Sequence, residues 1–221
     1  MRLFRLVLVL ILCIPGFATF AQAEDRVQVR PIDVYLSGFG GYSFPFKADL
    51  LSRFTSVNNN LEMESSPSFG GKIGMWFTAP RKALGIDIGT EIDVTHFNPD
   101  TPGSLQLNAT YFGFNLLARV PMGVTQELPN GRWFPYVGVG GGAQRLTFEA
   151  SGTTSEGSDT AGAFQGLWGV KVFLTKHIAV FGEGKYTHAT HRMNFQSGFA
   201  TGPLDLKVHA VHGVGGLSVH F

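Results

Sequence analysis

The residues of this chain best suited to metal or proton chemistry are its seven histidines, six of which follow position 176. His188 and His191 stand three apart, as do His209 and His212. On a strand, odd spacing sends side chains to opposite faces, so neither pair can chelate a metal from one face. Pairing across a hairpin is different. If residue numbers sum to 400, His191 faces His209 and His188 faces His212. With Leu206, Val208 and Ala210 outward, His191 and His209 then form a candidate rim site for a metal or a proton. The Phe221 end wants odd residues outward, so this reading requires a bulge between Gly213 and Gly216.

Nucleophilic chemistry finds less support. Thr187-His188-Ala189-Thr190-His191 is the nearest approach to a nucleophile beside a base, but it offers Thr190 two places after His188 and no serine. Glu183, five residues before His188, falls on the opposite face. Gly138 to Gly142 is no phosphate cradle, because no helix follows to supply an N-terminus. The expectation is therefore no catalytic residue, no cofactor and no resident metal.

A third set is electrostatic. Lys72, Asp87, Glu91, Asp93, Arg119, Lys171, Glu183 and Lys185 each interrupt a segment that is otherwise apolar or glycine-rich. Four basic and four acidic groups on one face can neutralise one another.

The elements that must carry these residues follow from composition. The chain has 221 residues, 17 basic and 16 acidic, so net charge gives no reason to expect nucleic acid as a partner. Charged residues make up 15%, against about 25% in an average soluble domain. Twenty-nine glycines and 20 phenylalanines point to β-structure against something apolar. Arg2 and Arg5, the apolar run Leu6 to Ile14, Pro15-Gly16 and the small-x-small Ala21-Gln22-Ala23 read as a secretory signal peptide over residues 1–23. The only cysteine, Cys13, lies inside it. An exported, cysteine-free chain is held by its core or by a bilayer. No later stretch reaches 18 apolar residues, so only a closed barrel could satisfy the backbone in a membrane.

Period-two alternation runs through the rest. Leu84 to His96 is the cleanest case, with Leu84, Ile86, Ile88, Ile92 and Val94 against Gly85, Asp87, Gly89, Glu91 and Asp93. Seven more segments repeat it: Val34 to Phe44, Phe69 to Phe77, Leu107 to Val120, Pro135 to Phe148, Phe164 to Leu174, Ile178 to Thr190 and Leu206 to Phe221. Eight strands of this length suit a tilted bilayer-spanning barrel. Connections at 46–68, 151–163 and 191–205 are long, whereas 78–83 and 175–177 are short; 121–132 breaks the alternation. Inward glycines, Gly41, Gly70, Gly74, Gly85, Gly89, Gly138, Gly140, Gly142 and Gly169, make room for the charged residues. Lys72 is expected beside Asp87 across the 78–83 turn. Trp76, Trp133 and Trp168 suggest aromatic girdles, and the histidines, His220 included, suit a polar boundary. A filled, ion-paired lumen is a plug more than a pore.

The C-terminus, Val219-x-Phe221 with Gly216 five residues before the end, resembles the signal read by the barrel-assembly machinery of outer membranes. Tyr136 to Gly142 and Gly182-Glu183-Gly184-Lys185-Tyr186 look like the glycine-rich and acidic-aromatic strands of one superfamily. With the signal peptide and eight strands, the chain resembles the small outer-membrane β-barrel superfamily, comprising the outer membrane protein A-like transmembrane domain and the opacity-protein group. The resemblance implies an all-β, closed antiparallel up-and-down eight-stranded transmembrane β-barrel over 34–221, after a periplasmic segment at 24–33. It also implies outer-membrane lipids, periplasmic chaperones and the assembly machinery as partners, with an extracellular ligand possible at the 57–60 and 151–160 loops. The function it implies is a non-enzymatic role in envelope structure or surface interaction. The alternatives are a narrow channel for small or apolar solutes, a soluble lipocalin-like binder, and a lipid A deacylase-type enzyme.

Overall fold

The computed structural model describes residues 30–46, 48–52, 60–61, 65–98, 105–150, 156–197 and 200–221. Its strands are β1 (Ile32–Pro45), β2 (Ala48–Ser52), β3 (Asn60–Leu61), β4 (Ser66–Phe77), β5 (Asp87–Phe97), β6 (Leu105–Arg119), β7 (Trp133–Ala150), β8 (Glu156–Phe173), β9 (Ile178–Ser197) and β10 (Ala200–His220). One helical turn, α1 (Arg81–Leu84), lies between β4 and β5. Strands β1 and β4 to β10 each pair with the next in chain order, and β1 closes on β10. The result is an eight-stranded antiparallel up-and-down barrel. Closure removes the unpaired edges that an open sheet would leave. The small β2–β3 hairpin extends the β1 side of β10 at one rim.

The stagger can be read residue by residue. Stepping around the wall from Tyr35, the partners are Gly74, Glu91, Asn115, Gly140, Gln165, Thr187, Ala210 and then Pro45. One circuit thus climbs from residue 35 to residue 45 of β1. A shift of ten residues over eight strands tilts them by about 40° to the barrel axis.

Alternation decides which side chains enter the barrel. Leu36, Ile73, Ile92, Phe114, Val139 and Leu217 face outward and are exposed. Inside, large side chains are matched with glycine on the adjacent strand. Tyr35 lies opposite Gly74, Phe39 opposite Gly70, Trp76 opposite Gly89, Tyr136 opposite Gly169 and Phe181 opposite Gly216. A Cβ on Gly89 would come within 2.6 Å of the Trp76 ring, and one on Gly74 within 2.6 Å of the Tyr35 hydroxyl. In a barrel this narrow each ring needs the volume its neighbour lacks. These glycines are seats for aromatic rings, more than space for charges.

The structure corrects several local expectations. Leu84 and Gly85 belong to the connection: α1 ends on Gly85, in the left-handed region at φ 71°, with its N–H donated to the Arg81 carbonyl. That turn lengthens the link to β5, so Lys72 is in register with Asp93 instead of Asp87. Much of the 151–163 and 191–205 segments is strand, because β8 begins at Glu156, β9 runs to Ser197 and β10 starts at Ala200. The β1 strand starts at Ile32, which brings Asp33 into the barrel. Trp76 points inward and is buried, so only Trp133 and Trp168 stand on the outer surface. The signal peptide at 1–23 lies outside the described residues, as do positions 57–59 and 151–155.

Candidate functional site

The interior polar residues form three linked tiers. At the end where β1 begins, β10 ends and the turns are short, Asp33 accepts from the Arg119 guanidinium at 3.0 Å and pairs with His220 Nδ1 at 2.6 Å. Arg119 Nε also donates to Asp87 at 2.8 Å, and Arg81 reaches from α1 to clamp both Asp87 oxygens at 2.8 and 2.6 Å. A planar guanidinium suits this bidentate task. Arg81 also donates to the Asn130 carbonyl, tying the two neighbouring turns together at 3.0 Å. Phe134, Phe173 and Ala179, with Leu128 packed against them, close this mouth.

In the middle tier, Lys72 donates to both oxygens of Glu183 at 2.6 Å and stands 3.6 Å from Glu91. Tyr136 donates to Glu183 and Tyr35 to Glu91, each at 2.7 Å. The outer tier centres on Asp93, which accepts from Lys185 at 2.6 Å and from Gln165 at 2.9 Å. His212 lies between Ser43 and Thr187. Buried charges of this kind persist only when paired and hydrogen-bonded. All eight charged residues singled out from the sequence, Lys72, Asp87, Glu91, Asp93, Arg119, Lys171, Glu183 and Lys185, are buried inside the barrel. A cavity of about 10 Å³ beside Lys72, Glu91 and Lys171 has room for about one water.

Lys171 differs from its neighbours. Its ammonium sits 3.9 Å from the centroid of the Tyr35 ring and donates to Ser218 at 3.2 Å. Ser218 contacts His220 Nε2 at 3.0 Å, and His220 contacts Asp33. Ser218, His220 and Asp33 therefore stand in the order of a nucleophile, a base and an orienting acid. All three are buried, and His220 lies against the Tyr35 and Phe173 rings. The arrangement is a closed polar lock. Sequence reasoning missed Asp33 and Ser218 and set His220 at the boundary instead of in the lumen. Carrying the outward parity of Phe221 back along β10 places 218 and 220 inward, so the signal was present.

The histidine expectation fails on register. Strands β9 and β10 pair with residue numbers summing to 397, so His209 faces His188 and His191 faces Leu206. Strand β10 keeps one register and needs no bulge, because Val208, Ala210, His212 and Val214 all turn inward. His191 is buried inside the outer rim, 3.0 Å from Asp159. His209 is on the outer surface. They share no site, and no cluster of three metal-ligating side chains occurs among the described residues. Burial pushes the His191 imidazole down, against the opposing pull of the Asp159 carboxylate. His220 is a lumen residue and not a boundary one. Of the C-terminal residues, Gly216 faces inward beneath Phe181, whereas Val219 and Phe221 are exposed on the outside. The Phe221 amide donates to the Val34 carbonyl at 2.9 Å and completes the seam.

Comparison with known proteins agrees with this geometry. The chain is similar in structure to Neisserial surface protein A, at 14% identity and a TM-score of 0.54, covering 85% of this chain and 97% of that one. It is also similar to the outer membrane protein OprG of Pseudomonas aeruginosa, at 15% identity and a TM-score of 0.51, covering 86% and 96%. No curated protein matches. At these identities the likeness concerns the fold. Residues 6–221 match the family model described as the outer membrane protein beta-barrel domain. An apolar outer belt, a closed eight-stranded wall and that match over nearly the whole length agree: the chain belongs to the outer membrane protein β-barrel family.

Proposed function

We propose that the protein is a non-enzymatic outer-membrane barrel serving envelope structure or surface interaction. One observation carries this reading: among the described residues the periplasmic mouth and the middle of the lumen are packed with ion pairs and rings, and the cavity beside Lys72, Glu91 and Lys171, of about 10 Å³, has room for about one water. A conducting pore needs a continuous wet path, and a binding lumen needs volume. In this reading the signal peptide is cleaved after Ala23 and residues 24–31 lead into β1 from the periplasm. The assembly machinery then reads Gly216, Val219 and Phe221, and recognition falls to the outer loops. Reconstitution in planar bilayers tests the reading. Electrical silence of a heat-modifiable, folded sample is expected; stepwise openings would replace it with a narrow channel for small or apolar solutes.

A further inference from the structure

The periplasmic end carries four cations that the lumen does not use. Arg30 leads into β1, Lys82 stands on α1, Arg132 precedes β7 and Lys176 tops the turn between β8 and β9. All four are exposed. None forms an ion pair or a side-chain hydrogen bond among the described residues. Of the acids at this end, Asp33 and Asp87 are buried and already held by Arg119, Arg81 and His220. Glu127 and the terminal carboxylate are the exposed anionic groups here among the described residues. The whole chain is nearly neutral, with 17 basic and 16 acidic residues, so the ring reflects placement and not excess.

Backbone bonds hold the four positions and leave the side chains free. The Thr78 hydroxyl donates to the Arg30 carbonyl at 2.8 Å. The Arg132 N–H donates to the Met122 carbonyl at 2.8 Å, and its own carbonyl accepts from Phe173 at 2.9 Å. Lys176 sits in a turn closed by the Ile178 N–H, which donates to the Thr175 hydroxyl at 3.0 Å. Leu84 closes α1 by donating to the Pro80 carbonyl at 2.8 Å. Each cation also has an exposed apolar neighbour in sequence. Ile32 follows Arg30 by two residues, Leu84 follows Lys82 by two, Trp133 adjoins Arg132, and Leu174 precedes Lys176 by two. The four sites belong to different strand ends, so the pattern repeats around the barrel.

We propose that this rim binds the phosphodiester headgroups of anionic phospholipids in the periplasmic leaflet. The apolar band of such a barrel ends at its short turns. There the exposed apolar residues meet the upper acyl chains, and long cationic side chains extend to the phosphates. The unesterified oxygens of a phosphodiester accept charge-assisted bonds from an ammonium or a guanidinium. Each Lys or Arg held at an anionic leaflet favours it by about fivefold. A polyanion in the aqueous periplasm, such as the cell-wall polymer, would call for the cations but not for an apolar residue beside each one. The repeated pairing of the two therefore favours lipid. Headgroups held at four places would set the depth of the barrel, whether or not the lumen conducts.

Trp133 is a built-in reporter, since it adjoins Arg132 and faces outward. With Trp168→Phe as background, it is the one tryptophan on the outer surface, because Trp76 is inside. The test reconstitutes this full barrel in vesicles of phosphatidylcholine mixed with phosphatidylglycerol. One or the other lipid is brominated near the glycerol end of its acyl chains, and quenching gives their relative affinity at Trp133. Both leaflets have the same composition, so the direction of insertion does not affect the reading. Phosphatidylglycerol should be preferred by about fivefold, and Arg132→Gln/Lys176→Gln should bring the preference close to one. Heat-modifiable mobility shows which variants are folded, and Lys176→Gln alone is the milder change if the pair does not assemble. Absence of a preference, or the same preference in folded variants, overturns the proposal. Cosedimentation with purified cell-wall sacculi that the variants lose, without any lipid preference, would assign the rim to that polymer and also overturn it.

Discussion

Lys72 of β4 holds Glu183 of β9 across the lumen, donating to both carboxylate oxygens at 2.6 Å. The two residues are 111 positions apart in the chain, and their side chains are almost completely shielded. Such a pair is expensive to break from one side only. Lys72→Met should destabilise the barrel by about 3–5 kcal/mol, because Glu183 keeps its charge without its main partner. The double variant Lys72→Met/Glu183→Gln should recover most of that loss. A double-mutant cycle from urea unfolding in lipid measures it; additive effects would mean the ammonium and carboxylate do not depend on one another.

The matching of rings to glycines makes a second expectation. A methyl at Gly89 meets the Trp76 ring at 2.6 Å and the Met75 carbonyl at 2.9 Å, so one of them must move. Gly89→Ala should cost about 1–3 kcal/mol. At Gly166, on the outward face of β8, a methyl would meet nothing within 4 Å, and Gly166→Ala should stay within about 0.5 kcal/mol. Comparing unfolding midpoints in the same detergent checks both.

These two cases show what the sequence could and could not tell. Period-two alternation at Leu36, Ile73, Ile92 and Phe114 is enough to identify strands, inward parity and closure, because in a barrel each side chain has only two directions. Register is less accessible. A turn of helix at Arg81–Leu84 or one different hairpin sum changes every cross-strand partner while leaving parity intact. So parity places Lys72 inside correctly but pairs it with the wrong acid, whereas His209 fails on both counts: Val208 and Ala210 turn inward, which leaves His209 outside and opposite His188. Asp33 escapes notice because only a register with β4 shows that the strand begins before Val34. Partners reached across the lumen, such as Lys72 with Glu183, depend on barrel radius and tilt, for which one strand's sequence carries no local signal.

His191 supplies a pH dependence outside the membrane band: it stands thirteen residues beyond Ile178, and at about 3.3 Å each, tilted by about 40°, these climb about 33 Å against an apolar band about 25 Å tall. Burial holds its folded-state pKa below the ordinary 6.5. The neutral ring is thus favoured by folding: its contribution is complete above about pH 6.5 and is lost as pH falls below that value. Stability of the outer rim should decline between about pH 7 and pH 5, and His191→Gln should flatten that decline. Hydrogen exchange of the β8–β9 amides near Asp159 reads the effect; a decline of the same slope in the variant would assign it elsewhere.

Phe221 is exposed, but its amide closes the β1–β10 seam on Val34. Removing it should lower the amount of heat-modifiable barrel in the outer membrane far more than removing one residue from positions 151–155. Equal losses would mean that the terminal aromatic carries no assembly information.

Depth along β5 gives the last expectation. Ile88 and Ile92 both face outward from this strand and are similarly exposed, so exposure alone treats them alike. Their surroundings differ. Ile92 stands at the middle of Asp87–Phe97, flanked by Ile73 and Phe114, whereas Ile88 is one residue from the periplasmic end, between Phe77 and Ala118. An arginine at Ile88 can extend its guanidinium to the headgroups, so Ile88→Arg should cost only about 0–1 kcal/mol. At Ile92 the same side chain starts about half the band from either surface, and Ile92→Arg should cost about 2–4 kcal/mol. Thinner bilayers bring Ile92 nearer to water. Its cost should therefore shrink as acyl chains shorten, while that of Ile88→Arg should hardly change. Refolding both variants in a chain-length series measures this, and a cost at Ile92 independent of thickness would show that this face of β5 does not meet lipid.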